Sequence, residues 1–231
     1  MTKNPGTLAL VGGGEFSEEC KPVNAQLLQA SSIREVVVLP TASAFESPQA
    51  VISKAVAHFE SLGARVVPLM VLNRRDAEDE HFLKVAKSAK FIYIADGSPL
   101  HLRSVLKGSS LFSAIEHAYL SATTLAASGA GATLLGDPMV DPRGGAYTVG
   151  LGLAANLAVF PYHGATAEHM RDRSVDLLPN GATLAGLDEN TALVRDPDGK
   201  WRVAGPGSVT LYRRDTEPSR HHDSTLAVLN S

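Results

Sequence analysis

The stretch Ala126-Ala127-Ser128-Gly129-Ala130-Gly131-Ala132 carries the strongest chemical signal in this sequence. A short apolar run entering such small residues is what a nucleophile elbow requires, because the turn is strained and its neighbours must be small. In a Gly-x-Ser-x-Gly elbow the nucleophile stands two residues before the second glycine. Counting back from Gly131 puts Gly129 at that place, with Ala127 at the first glycine position. Ser128 is the nearest hydroxyl, one residue early. Adjacent residues on a turn point in different directions, so Ser128 would serve only through a shifted elbow. A small-residue turn that lets a helix pack close to a sheet would use the same residues.

Two other turns could carry chemistry. Asp96-Gly97-Ser98-Pro99 follows an apolar run, and a helix starting at Pro99 would leave free N–H groups near Gly97. Such groups can stabilise an oxyanion; a plain strand-to-helix turn uses the same residues. Gly12-Gly13-Gly14-Glu15 could let backbone N–H groups approach a phosphate. Ser17 stands where a dinucleotide fingerprint needs its third glycine, so no nucleotide cofactor is expected.

Of the eight histidines, His163 is the best catalytic candidate, since it ends a strand-like run (AVFPYHG) before a glycine. His58, His81, His117 and His169 fall in predicted helices, on faces expected to be exposed. His101 follows the Asp96 turn and could border a site. Asp137 and Asp141 (GDPMVDPRGG) are the nearest acids in sequence, and either could orient an imidazole. No histidine pair has the i, i+4 spacing of a helical metal site, and Cys20 is the only cysteine, so no metal is expected.

Elements that could position these residues alternate along the chain. Strands are predicted over 7–11, 35–39, 65–71, 90–95, 123–127 and 157–160. Helices are predicted over 22–30, 47–62, 76–88, 100–106, 111–120 and 165–177. The βαβα order with strands apolar throughout predicts a mostly parallel sheet covered on both faces. Short strands over 182–187, 192–195, 201–203 and 208–212 predict a C-terminal meander, with Pro197-Asp198-Gly199 as a turn. We expect a single domain over 1–212 and a polar, mobile tail over 213–231.

Composition narrows the function classes. The formal net charge is −3, which gives no electrostatic reason to expect nucleic acid or an anionic membrane as partner. A lone cysteine fits a reducing compartment, and no apolar run is long enough to span a bilayer or form a signal sequence. A cytoplasmic location is expected.

Taken together, LVGGGE (10–15), VVVLPTAS (36–43), IYIADGSPLHL (92–102), AASGAGA (126–132), MVDPRGGAYTVGLGL (139–153), FPYHG (160–164) and GLDENTALV (186–194) resemble the dipeptidase E and cyanophycinase family of serine peptidases. They occur in the family's order over roughly residues 7–212. The resemblance implies the class I glutamine amidotransferase-like fold, a flavodoxin-like three-layer α/β/α arrangement. It implies hydrolysis of peptide bonds next to acidic residues, by a serine on the elbow with a histidine and an acid. The family's elbow reads GTSAGA or close to it, which puts Gly129 where the serine belongs. His163 matches the histidine of a PHF-like segment. Gly97 matches the oxyanion-hole glycine, and Ala130 would give the second N–H. Ala95-Asp96 stands where the family has two glycines.

The expectation is a homologue degenerate at its nucleophile that binds a small peptide or amino-acid-like ligand. The alternative is an active hydrolase of acidic dipeptides using Ser128 with His163 and an aspartate. A third reading is a structural subunit that uses the fold for association only. An acidic substrate would call for basic residues near the elbow, for which Arg103, Arg143 and Arg171 are the candidates. The family forms both monomers and dimers, so a homodimer is compatible with the resemblance.

Overall fold

A computed structural model describes residues 5–165, 168–226 and 229. The expectations that fall on 1–4, on 166–167 within the helix predicted over 165–177, and on 227–228 and 230–231 lie outside the described residues. In the first half of the chain, strands β1 (Leu8–Val11), β2 (Glu35–Leu39), β3 (Arg65–Pro68), β4 (Phe91–Ile94) and β5 (Thr124–Ser128) alternate with helices. These are α1 (Lys21–Ser31), α2 (Pro48–Ser61), α3 (Glu80–Ser88), α4 (Pro99–Leu106), α5 (Ser110–Tyr119) and α6 (Ala130–Leu135). Then follow short strands β6 (Gly136–Asp137), β7 (Met139–Val140), β8 (Tyr147–Thr148) and β9 (Ala154–Ala155), strand β10 (Leu157–Phe160) and helix α7 (Glu168–Asp176). The chain closes with β11 (Thr183–Leu187), β12 (Ala192–Arg195), β13 (Trp201–Ala204), β14 (Val209–Tyr212), β15 (Ser219–His221) and β16 (Thr225–Leu226).

The main sheet has eight strands in the order β16-β13-β12-β1-β5-β4-β2-β3. From β1 to β3 every pair is parallel, and β12 joins β1 antiparallel. Both faces of these strands are apolar because both are covered. Along β1, Leu8 and Leu10 enter one core while Ala9 and Val11 enter the other. Along β4, Ile92 and Ile94 likewise oppose Phe91 and Tyr93. This two-residue period, apolar on both phases, is what a sheet between two helical layers demands. On one face α1 and α2 contribute Val23, Leu27, Ala55 and Phe59. On the other, α3 to α6 contribute Leu83, Leu102, Ile115 and Leu134. The molecule is thus a three-layer α/β/α fold with a mixed central sheet.

The C-terminal half departs from a simple meander. Strands β12, β13 and β16 extend the main sheet, while a second sheet of six strands runs β15-β14-β11-β10-β6-β9. Consecutive apolar strands read alike in sequence, so their division between two sheets was not visible there. Within the tail expected to be mobile over 213–231, Ser219–His221 and Thr225–Leu226 supply an edge strand to each sheet, and Leu226 is only 1% exposed. The pairing is mostly backbone hydrogen bonding, which a polar, aperiodic segment does not advertise. Among the described residues no helix is long and apolar enough to cross a membrane.

Candidate active site at the strand-to-helix elbow

Strand β5 lies between β1 and β4, so the carboxyl ends of three neighbouring parallel strands converge. That edge is where open α/β sheets place their sites. β5 passes directly into α6 through Gly129, whose φ of 47° and ψ of −105° form the sharp turn. This left-handed backbone favours glycine and strains other residues. The elbow predicted from small residues is therefore present, and Gly129 is its apex.

The loop after β4 brings Asp96 onto that apex. Asp96 Oδ1 accepts the Ala130 N–H at 2.6 Å and the Gly97 N–H at 2.7 Å. These are the two donors expected to line an oxyanion hole, and both point at the chain's own carboxylate. The other oxygen, Oδ2, accepts a short hydrogen bond from the Tyr162 hydroxyl. A Cβ built on Gly129 would fall among the Asp96 carboxyl atoms. Asp96 thus fills the space of an elbow side chain.

Glu15 lies beneath this group. One of its oxygens accepts the Asp96 N–H and the other the Ser128 hydroxyl, each at 3.0 Å. Burial pushes the Glu15 carboxyl above its ordinary range, with the Asp96 charge adding to the rise, against the hydrogen bonds it accepts. Ser128 is fully buried. Its side chain points under the turn to Glu15, as the alternation of neighbouring residues required. Burial, and then Asp96, raise the Tyr162 phenol well above its ordinary value.

His163 bonds to Asp188 and Tyr212, whereas its neighbour Tyr162 reaches the elbow through Asp96. Tyr162 has a left-handed φ of 53°, which splays the two rings. The Tyr162 ring lies against Gly13 and the His163 ring against Gly186, each so close that a Cβ on the glycine would meet it. In a PHF-like segment the histidine directly follows the proline, and here Pro161 is followed by Tyr162. That one-residue offset was readable in the sequence. His163 Nδ1 instead meets Asp188 at 3.2 Å and Nε2 meets the Tyr212 hydroxyl at 2.8 Å.

Neither Asp137 nor Asp141 faces His163. Asp137 accepts the Gly150 N–H at 3.1 Å, and Asp141 closes a turn on Arg143, whose guanidinium holds its carboxyl down at about 2. Both serve loop geometry, the commoner use of aspartate in such segments. The three arginines proposed for an acidic substrate are engaged elsewhere: Arg103 with the Val149 carbonyl, Arg143 with Asp141 and Arg171 with Asp172. His58 is buried against Asn24 rather than exposed. Cys20 is buried, which pushes its thiol up to about 12 and leaves it inert.

An elbow at the carboxyl edge of the sheet in a three-layer α/β/α protein stands where such folds place their sites. The model of peptidase family S51 matches residues 8–201, and the chain belongs to that family. A cyanophycinase from Synechococcus elongatus is 26% identical over 223 residues, covering 89% of this chain and 67% of the relative. A cyanophycinase from Geminocystis herdmanii is 24% identical over 240 residues, covering 96% and 85%. The crystal structure of a peptidase from an acI-B1 actinobacterium shares the fold, with a TM-score of 0.87 at 24% identity over 98% of each chain.

Proposed function

We propose that this chain is a family S51 member that binds a small peptide or amino-acid-like ligand without cleaving it through an elbow serine. The observation that carries this reading is the Asp96 carboxylate, which accepts both backbone donors beside Gly129 and takes the room a nucleophile would need. Tyr162, rather than an imidazole, reaches that carboxylate. A phenol whose proton is held so firmly is a poor general base at neutral pH. A cleft of about 620 Å³ opens here, lined among others by Glu15, Glu46, Lys54, Asp96, Tyr162 and Glu189. Carboxylates outnumber the one ammonium group, so the end of a ligand entering it is better matched by an amino group than by an acid. Ser128 offers less support for the hydrolytic alternative, because its hydroxyl lies beneath the turn on Glu15.

The test is hydrolysis of a panel of Asp-Xaa and β-aspartyl dipeptides, with melting shifts recorded for the same compounds. Wild type is expected to be inert towards all of them and to be stabilised by at least one. Gly129→Ser alone should remain inert, because its side chain meets Asp96. Gly129→Ser with Asp96→Gly and Tyr162→His should gain turnover. Wild-type cleavage abolished by Ser128→Ala would overturn the proposal in favour of a shifted serine.

A further inference from the structure

Residues of both sheets line a cavity at the edge opposite the elbow. β12 runs against β1, with Ala192 beside Val11 at the elbow end and Arg195 beside Leu8 at the far end. β10 and β11 start at this far edge, Leu157 beside Thr183, and β14 runs towards it. The cavity holds about 600 Å³, and its walls include Arg195, Arg213, Arg214, Asp215, Asn156 and Asn180. It shares no lining residue with the cleft at Gly14–Asp96.

Three guanidinium groups and one carboxylate line this space, which leaves two positive charges on its walls. The arginines are held by neutral groups. Arg213 Nε donates to Thr183 Oγ1 at 3.1 Å, and Arg214 Nη1 donates to Asn180 Oδ1 at 2.9 Å. Arg195 Nη2 donates to the Tyr119 hydroxyl at 2.9 Å and to the Leu153 carbonyl at 2.8 Å. Its guanidinium carbon lies 5.8 Å from the centre of the Tyr119 ring and 5.2 Å from that of Trp201, the residue paired with it across β12 and β13. Two rings and two hydrogen bonds therefore fix this cation in place before any ligand arrives, so little side-chain freedom is lost on binding. Arg195 Nε is buried and has no partner among the described residues. A buried guanidinium with no anion beside it is costly, and a bound anion relieves that cost.

We propose that this cavity binds a small phosphate monoester, at a site separate from the elbow. A dianion balances the two positive charges, and planar guanidinium forks match the oxygens of a phosphate. The volume exceeds what a bare phosphate fills and suits a small organic molecule. The amides of Asn156 and Asn180 and the Thr216 hydroxyl offer hydrogen bonds to a polar body on that phosphate. The site uses neither Gly129 nor Asp96, so it stands or falls apart from the proposed function.

The experiment is calorimetric titration of the full chain with glycerol 3-phosphate, inorganic phosphate and acetate at constant ionic strength. Glycerol 3-phosphate is expected to saturate one site per chain, with acetate at least about tenfold weaker. Arg214→Gln removes an exposed side chain, so the fold is spared, and it should weaken the monoester about tenfold. Arg195→Lys keeps the charge but loses the fork, and should weaken it as much in protein whose melting temperature shows that it is folded. Arg75→Gln, at an exposed arginine outside the cavity, should leave the affinity unchanged. The absence of saturable binding would overturn the proposal, as would equal weakening by Arg75→Gln, which would mark a general charge effect. Acetate binding as tightly as the monoester would refute the dianion, and inorganic phosphate doing so would refute the organic body.

Discussion

At the scale of single residues, the site turns on which side chain fills a given space. Glu15 shows the electrostatic consequence. Its folded pKa lies above the ordinary 4.5, so the folded protein holds this proton more tightly than the unfolded chain. The stabilisation it contributes is complete below about pH 4.5 and fades as pH rises through the folded value. Melting temperatures of wild type and Glu15→Gln, compared from pH 4.5 to 7, should therefore move in the variant's favour as pH rises. Movement in the other direction would mean that the bonds from Asp96 N–H and Ser128 outweigh burial of the charge. Gly129 as the elbow apex was legible from the spacing of small residues alone. Asp96 was legible only as a departure from two glycines, because nothing in a linear sequence shows that a carboxylate after the neighbouring strand reaches across a turn.

At the scale of elements, neighbouring strands do the positioning, and glycines set how closely rings can lie on them. Gly186 sits within β11 with the His163 ring over it. Gly186→Ala should cost about 1–3 kcal/mol in urea unfolding, since the added methyl group displaces a ring in a packed layer. It should leave Tyr162 in place, because that ring rests on Gly13 at the other side. A cost within error would mean that the imidazole swings aside freely. The parallel strands and their helices were legible because burial on both faces leaves unbroken apolar runs. Helix α2, predicted over 47–62, is found over Pro48–Ser61, with the proline in its first turn, where a missing N–H costs nothing. The pairing of Tyr162 and His163 with opposite sides was not legible, since one left-handed residue reverses the direction that an extended strand would impose.

At the scale of the whole molecule, two sheets share one chain terminus. Residues 213–226 run along the second sheet as β15 and then along the first as β16. They cover the edges of β14 and β13, and Arg220 reaches Ser208 and Asp188 on the way. A chain ending at Tyr212 should lose at least about 2 kcal/mol from exposure of the Leu226 contact alone. It should also aggregate more readily through its uncovered strand edges. An unchanged urea midpoint, with no aggregation, would show that the segment is dispensable. Composition had suggested otherwise for this stretch, because edge strands are held by backbone groups that every residue type carries.

The carboxylate lodged over Gly129 also bears on ancestry. A serine arriving at 129 while Asp96 is present meets an occupied space, whereas shortening residue 96 first costs only the contacts that residue makes. The two substitutions are therefore not interchangeable in order. Any path from this sequence to an elbow serine therefore begins at the neighbouring loop, because residue 96 must be shortened before a side chain at 129 has room.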